Sequence, residues 1–388
     1  VLVASSNTHH ASHITKGQPM AAIRAIRPGM PVEELETPIL TIDLDAMERN
    51  LQRMIEILDG SGVKLRPHLK TAKSPALAHR MVQAGAVGIC CAKLSEAEVM
   101  AGAGITDILL TSEVAGFGKL ERLVALAAEL PAFKATVDNA DAIEGLARIA
   151  RERGVTVKLV IEQDVQTKRS GVVTPQEALA LADIIRDTDG VDLVGVHGYA
   201  GHAQVRPEAE RRERNDAAMT VLRESVELLR EHNHTIEIVS GGGTGTCQMD
   251  VENGILNEVQ AGSFLLMDVA YRNAGVPFEN ALLCRSTVIS RPCEDRAVCD
   301  AGQKTLTADA GVAEVTGRPG VRYVRGSDEH GSLAIEPESL DQELRVGDVI
   351  TIIPSHVCTT INLHDLFVGV RHGRVETCWL IEARGCVW

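Results

Sequence analysis

The segment Arg66-Pro67-His68-Leu69-Lys70-Thr71 carries the residue types of a nucleophilic amine site. It closes a short apolar run, and Pro67 excludes an ordinary central-strand position there. A lysine at the C-terminal end of a barrel strand is placed for chemistry more than for packing. If it is desolvated, its amine can be neutral and nucleophilic near neutral pH, as Schiff-base formation requires. A solvated loop lysine is the ordinary alternative, so Lys70 takes its meaning from the rest of the chain.

Two small-residue stretches supply a partner chemistry. They are Ser240-Gly241-Gly242-Gly243-Thr244-Gly245-Thr246 and Ala261-Gly262-Ser263. Glycine lacks a Cβ, so backbone N–H groups can converge on an anion. Ser240, Thr244, Thr246 and Ser263 add hydroxyl donors. No Lys-Ser/Thr pair follows the glycines, which argues against a P-loop nucleotide site. A lysine for an aldehyde and a cradle for a phosphate have a joint reading in pyridoxal phosphate.

A third motif lies near the C-terminus, at His356-Val357-Cys358. Read as an extended segment, it points both side chains to one face, about 7 Å apart at Cα. Imidazole and thiolate suit zinc, or manganese or iron where oxygen ligands complete the site. Two donors leave positions open, as a Lewis-acid site needs. The pair also reads as a half-buried histidine beside a core cysteine. His364-Asp365 and Asp328-Glu329-His330-Gly331 are further polar clusters, each a turn, a supporting partner or a salt bridge.

The elements that must position these residues follow from periodicity. Thr37 to Leu44 reads as a strand, and Asp45 then caps a helix with apolar Met47, Leu51, Met54, Ile55 and Leu58. Eight aliphatic runs follow: 64–67, 87–91, 107–111, 132–137, 155–162, 193–197, 235–239 and 257–260. Helical patterns such as 140–153 and 208–231 separate them. Alternating βα units of this number fit a TIM (β/α)8 barrel, with a doubly wound sheet as the competing arrangement. On this count the glycine stretches are the loops after barrel strands seven and eight, where such barrels commonly hold phosphate. After about residue 275 short strands and Gly/Asp turns predominate, including 288–289, 296–300, 305–307, 321–324, 333–336, 348–353, 366–370 and 375–381. The expected division is an N-terminal extension over 1–35, a barrel over 36–275 and a mostly β domain over 276–388.

Composition narrows the partners. The 388 residues are 45% hydrophobic and 24% charged, with a formal charge of −14. That charge argues against nucleic acid or an anionic membrane as partner. No apolar run approaches the roughly 18–20 residues of a membrane span. Nine irregularly spaced cysteines without CxxC point to a reducing, cytoplasmic compartment more than a disulfide framework. Residues 1–35, with His9, His10 and His13, lack the apolar h-region of a secretory signal.

Together these motifs resemble the fold-type III pyridoxal-phosphate enzymes, in particular the D-threonine aldolase and D-serine dehydratase group. The resemblance spans about 36–388. It rests on 66–71, Lys93-Leu94-Ser95-Glu96-Ala97-Glu98, Arg169-Ser170-Gly171-Val172, 240–245, 327–331, His356-Val357-Cys358, and the tail from Val368-Gly369-Val370-Arg371 to Ala383-Arg384-Gly385. It implies an alanine racemase-like barrel, a β domain that takes in the early strand near Leu40, and a head-to-tail homodimer. It implies Lys70 as the Schiff-base lysine, Arg169 near the pyridine ring and Tyr199 beside the cofactor. The phosphate would sit at Ser240, Gly242, Gly243, Thr244, Gly262 and Ser263. His356 and Cys358 would hold a divalent metal (Mn, Zn or Mg), with His356 also catalytic.

Two departures bear on the reaction. Relatives often read Lys-Thr-His-Lys where this chain has Lys70-Thr71-Ala72-Lys73. His-x-Cys leans toward a dehydratase giving a 2-oxo acid and ammonia, from D-serine or D-threo-3-hydroxyaspartate. Asn362-Leu363-His364-Asp365 and the tail lean toward an aldolase acting on D-threonine or D-3-hydroxyaspartate. The aldolase reading is preferred, with a small D-β-hydroxy-α-amino acid as substrate. A pyridoxal-phosphate-binding protein without lyase activity is the reading from another class. Small proteins of that kind lack the second domain. A metal-only barrel hydrolase would need His/Asp clusters at strand ends, which the sequence does not offer.

Overall fold

In the computed structural model, residues 26–337 and 344–388 are described. Of the expected N-terminal extension, residues 1–25 lie outside the described residues. Residues 26–35 instead pack on the β domain. Gly29 N–H donates to Val375 O at 2.8 Å, Val375 N–H to Met30 O at 2.9 Å, and Val32 N–H to Gly373 O at 2.9 Å. Val32 and Leu35 bury against Val368 and Val375.

The first strand, β1 (Ile39–Asp43), leads into the helix Leu44–Leu58. Asp43, not Asp45, is the N-cap: its carboxylate accepts Ala46 N–H at 3.0 Å, and Asp45 falls in the first turn. Leu44, Met47, Met54 and Leu58 form the buried stripe.

Eight parallel strands follow: β2 (Lys64–Leu65), β3 (Ile89–Cys91), β4 (Ile108–Leu110), β5 (Lys134–Val137), β6 (Val157–Glu162), β7 (Val191–Gly198), β8 (Ile238–Gly241) and β9 (Glu258–Val259). They pair in the order β2-β9-β8-β7-β6-β5-β4-β3. The ring closes between β2 and β3 by Val87 N–H to Leu65 O, Cys90 N–H to Pro67 O and Leu69 N–H to Cys90 O. A barrel, not a doubly wound sheet, is therefore the fold. Cys90, Leu109, Val160, Val194 and Ile238, from five of the strands, form a small core cluster of their own. Near the N-terminal ends of the strands Arg66 is 2% exposed and ion-paired with Glu258 and Asp107, and Lys134 also reaches Asp107. Arg66 thus belongs to the barrel's ionic plug, although it stands four residues from Lys70.

The second sheet gathers β1 with β10 (Leu282–Cys293), β11 (Arg296–Cys299), β12 (Glu314–Thr316), β13 (Val321–Gly326), β14 (Gly331–Ile335), β15 (Val349–Ile353), β16 (Leu366–Arg371) and β17 (Arg374–Leu380). β1 lies antiparallel to β10 and parallel to β16. The strand expected at 305–307 is a turn, closed by Thr305 and Leu306 N–H to Gly302 O. Asp328 to His330 make the β13–β14 connection. Its Glu329 pairs with Lys304 at 2.7 Å. His364 bonds Thr305 O at 2.8 Å. The chain's nine cysteines are free. No helix of the described residues is long and apolar enough to cross a membrane.

Candidate active site

The C-terminal ends of the barrel strands bring together residues more than a hundred positions apart. Lys70 lies in the turn after β2 and is half-buried. Its Nζ stands 5.0 Å from the centroid of the Tyr199 ring, which follows β7. The Arg169 guanidinium, beyond β6, lies 5.6 Å from the same centroid. His68, Thr111, His197 and Gln260 line the same cavity as these three residues.

The floor of this cavity is a buried polar chain. Glu162 on β6 accepts Arg169 Nη2 at 3.3 Å with one oxygen and pairs with His197 Nδ1 through the other. His197 Nε2 lies 3.2 Å from Gln260 Oε1, and Gln260 Nε2 donates to Ser240 Oγ at 2.8 Å. β8 runs through Gly241, so Ser240 is a buried strand residue bonded to Gln260, not part of a loop. Its expected place in the glycine loop is corrected on that ground.

His68 occupies the wall beside Lys70. Thr111 Oγ1 donates to Cys91 O at 3.2 Å, so it accepts from His68 Nε2 at 3.0 Å. His68 Nδ1 then accepts the Lys70 N–H at 3.4 Å. This is a neutral imidazole. Burial holds its pKa well below the usual histidine range, and the nearby positive charges of Lys70, His197 and Arg169 add to that.

The glycine loop is shaped from behind. Gly242 has φ +65°, and a Cβ there would stand 2.2 Å from Asp250 Oδ2. A Cβ at Gly245 would stand 1.9 Å from Gln204 O. Gly243 N–H is used by Thr246 Oγ1 at 3.2 Å, and Gly245 N–H by Gln204 Oε1 at 2.9 Å. These two N–H groups brace the loop and are not free for an anion. Thr244 Oγ1 accepts Phe264 N–H at 2.9 Å, which ties this loop to the one after β9. Gly262 packs on the lysine turn: a Cβ there would stand 2.6 Å from His68 O and 2.8 Å from Thr71 Oγ1.

The β domain reaches the same mouth. His356 is extended, but Val357–Ile361 is a helix, so the His-Val-Cys segment is not a strand. Asp268, from the barrel side, accepts Val357 N–H at 2.9 Å and fixes this turn. Cys358 Sγ lies 3.2 Å from Thr71 Oγ1, one residue from Lys70, and 3.9 Å from Ser263 Oγ. His356 Nδ1 bonds Asp309 at 2.5 Å, and Asp309 also accepts Thr359 Oγ1 at 2.8 Å. Burial works to lower the His356 pKa, yet Cys358 and Asp309 raise it to about 9. Burial likewise opposes ionisation of Cys358, but His356 and then Lys70 hold its pKa below the usual thiol range.

Among the described residues no cluster of three or more His, Cys, Asp or Glu side chains forms a closed metal cage. Imidazole plus a readily ionised thiolate still suit a divalent ion that keeps open positions. The pyridoxal-phosphate reading also suits the cavity. A lysine amine stands against an aromatic ring, and the Cβ-free Gly262 backs directly onto the lysine turn. His68 falls within the 66–71 segment that the sequence singles out, and His197 ends the strand run 193–197. Glu162, Gln204, Asp250, Asp268, Tyr271, Gln260 and Asp309 carry no local signal; Tyr271, half-buried, is recognisable only by its nearness to Tyr199, Cys358 and Ser263.

Residues 42–269 match the family profile "Alanine racemase, N-terminal domain", and residues 281–370 match "Putative serine dehydratase domain". A D-threonine aldolase of Arthrobacter sp. is 39% identical over 364 residues, 92% of this chain and 95% of that protein. D-threo-3-hydroxyaspartate dehydratase of Delftia sp. (strain HT23) is 33% identical over 353 residues, 84% of this chain and 92% of that protein. The crystal structure of D-threonine aldolase from Filomicrobium marinum superposes with a TM-score of 0.90 at 41% identity, covering 93% of this chain and 99% of that one. The chain therefore belongs to the D-threonine aldolase and D-serine dehydratase family of alanine racemase-like, pyridoxal-phosphate-dependent enzymes.

Proposed function

We propose that this enzyme is a pyridoxal-phosphate- and metal-dependent lyase that cleaves D-β-hydroxy-α-amino acids to glycine and an aldehyde. The observation that carries the reading is the meeting of Lys70 with Cys358 across Thr71, which sets an amine and a metal-type donor pair at one mouth. Higher identity to an aldolase than to a dehydratase supports cleavage over dehydration.

When bound, pyridoxal phosphate supplies an electron sink for the negative charge left at Cα. Lys70 is the residue that anchors it. Tyr199 and Arg169, which stand together beside Lys70, would flank the cofactor's pyridine ring, and Glu162 orients Arg169 from below. The phosphate is assigned to Gly242, Thr244, Gly262 and Ser263, with the Thr244 hydroxyl as a donor, while Gly243, expected from the sequence to join them, spends its N–H on Thr246 and shapes the loop instead. Ser240 supports that group from within β8. His356 and Cys358 would hold manganese, zinc or magnesium, whose charge favours loss of the β-hydroxyl proton. Asp309 keeps the His356 ring oriented toward the mouth. His68, held neutral, leaves the wall beside Lys70 without added positive charge.

Incubation with D-threonine, pyridoxal phosphate and manganese tests the reaction. Glycine and acetaldehyde are expected. A 2-oxo acid with ammonia would assign the dehydratase reaction instead, and D-3-hydroxyaspartate assayed in parallel ranks the β-substituent. No product from any of these would sink both lyase readings, leaving a non-catalytic binder. Lys70→Ala should lose all turnover and the absorbance of bound cofactor. Chelation should lower turnover at least tenfold while that absorbance stays, and added manganese or zinc should restore the rate. Turnover unchanged after chelation would remove the metal. The free thiols support a reducing, cytoplasmic setting, and family likeness supports a homodimer; light scattering in solution reads the latter.

A further inference from the structure

Asp250 stands directly behind the glycine loop and is fully buried. Its Oδ2 accepts the Thr246 hydroxyl at 2.7 Å, and its Oδ1 accepts the Asn215 amide at 2.9 Å. Thr246 Oγ1 also accepts from Gly243 N–H at 3.2 Å and Gln204 Nε2 at 3.1 Å. Its single hydrogen is therefore committed to Asp250. The carboxyl is one hydroxyl away from the loop backbone. Glycine at 242 is what lets it come so near.

The surroundings give Asp250 no counter-charge. No ion pair reaches it among the described residues. On its own short helix, Cys247–Asn253, the Cys247 thiol is pushed up to about 12 by burial and stays neutral. Glu252 of that helix is taken by Arg212 at 2.6 Å. From the helix Glu208–Glu231, Asn215 is uncharged, Asp216 accepts Asn253 Nδ2, and Arg211 donates to Ala274 O. The helix Leu44–Leu58 commits Arg49 to Glu279. From the loop, Gln204, Thr246 and Gly243 bring only neutral groups. Burial accordingly pushes Asp250 up to about 7.

Building on the pyridoxal-phosphate reading above, we propose that Asp250 is a positioning residue of the phosphate loop that takes up one proton when a phosphate-bearing ligand loads in front of it. A dianion before the loop and a carboxylate behind it repel across a dry backbone layer. The carboxylate is the partner that can neutralise. One proton passes from solvent to one Asp250 oxygen, and no covalent bond between heavy atoms changes. The Asn215 Oδ1, buried without a partner, can accept a hydrogen bond from the protonated Asp250 Oδ1 once the amide turns. Thr246 keeps its bond to the other oxygen, so the loop holds its shape. Affinity for the phosphate ligand then falls as pH rises above neutrality, by up to about tenfold per pH unit.

Asp250→Asn keeps the side-chain shape but cannot ionise. The cofactor-free full chain would be titrated with pyridoxal phosphate from about pH 6 to about pH 9, read by absorbance. The ratio of variant to wild-type affinity should grow with pH, toward about tenfold per unit. Parallel profiles would overturn the coupling. If the variant does not fold, calorimetry of the wild type in two buffers of different ionisation enthalpy counts protons directly. Above about pH 7, where the free phosphate is already largely dianionic, pyridoxal phosphate should take up more protons than phosphate-free pyridoxal. Equal uptake overturns the proposal. A wild-type chain that loads no pyridoxal phosphate at any pH overturns the cofactor reading as well, whereas loading with parallel profiles removes only the coupling.

Discussion

The buried His68 side chain links stability to pH. Its folded pKa lies well below the ordinary 6.5 because it is buried and faces positive charge. In the unfolded chain it binds a proton below 6.5, and in the folded chain it resists doing so. Its stabilising contribution is therefore present above 6.5 and is lost as pH falls from there toward the lower folded value. His68→Gln should flatten this acid limb in a plot of melting temperature against pH. An unchanged slope would show that other groups set it. The same neighbourhood explains why Cys358 differs from the chain's buried thiols. Burial raises Cys90 and Cys247, but the adjacent His356 reverses the sign at Cys358.

At the level of the element, the loop after β8 is a packed structure rather than a flexible turn. Gln204, Thr246 and Asp250 hold it from behind, and Thr244 holds it to Phe264. Gly245→Ala would drive a methyl group into Gln204 O. We expect a loss of about 1–3 kcal/mol in urea unfolding, as for other overpacked sites, together with weaker pyridoxal-phosphate binding. A variant as stable as wild type with unchanged cofactor affinity would contradict this account of the loop. The turn Pro354-Ser355-His356 shows the same principle across domains. Val269 N–H donates to Pro354 O at 3.0 Å, and Asp268 accepts Val357 N–H, so the metal-type pair is aimed by the barrel.

For the whole molecule, barrel and β domain share one apolar core. Leu40, Ile42, Cys284, Ile350 and Phe367 belong to the same buried cluster as Leu265, Leu266 and Met267. The chain crosses between the units twice, since β1 precedes the barrel yet pairs with β10 and β16. A fragment covering 36–275 would leave β1 without partners and expose that core. It should aggregate or bind a hydrophobic dye, and the full chain should unfold in one transition. A well-folded, monomeric fragment would show the barrel to be independent.

The sequence by itself determined the alternation of eight βα units, the β-rich second half and the position of Lys70 at a strand end. These are local facts, because periodicity and a proline break act over a few residues. It also placed Gly262 and Ser263 directly after the last barrel strand; that this segment meets the lysine turn is a tertiary fact. The tertiary structure decided what those residues face. Arg66 stands only four residues before Lys70 but turns into the barrel's ionic plug, because Glu258 and Asp107, distant in the chain, meet it there. Ser240 fell within the strand because pairing with β7 continues to Gly241. The His-Val-Cys segment became a helix start because Asp268, 88 positions before His356, supplies the acceptor for Val357. Glu162, Gln260 and Asp250 gain roles only from closure of the ring and burial without counter-charge. Those depend on contacts across long stretches of chain, which no window of sequence records.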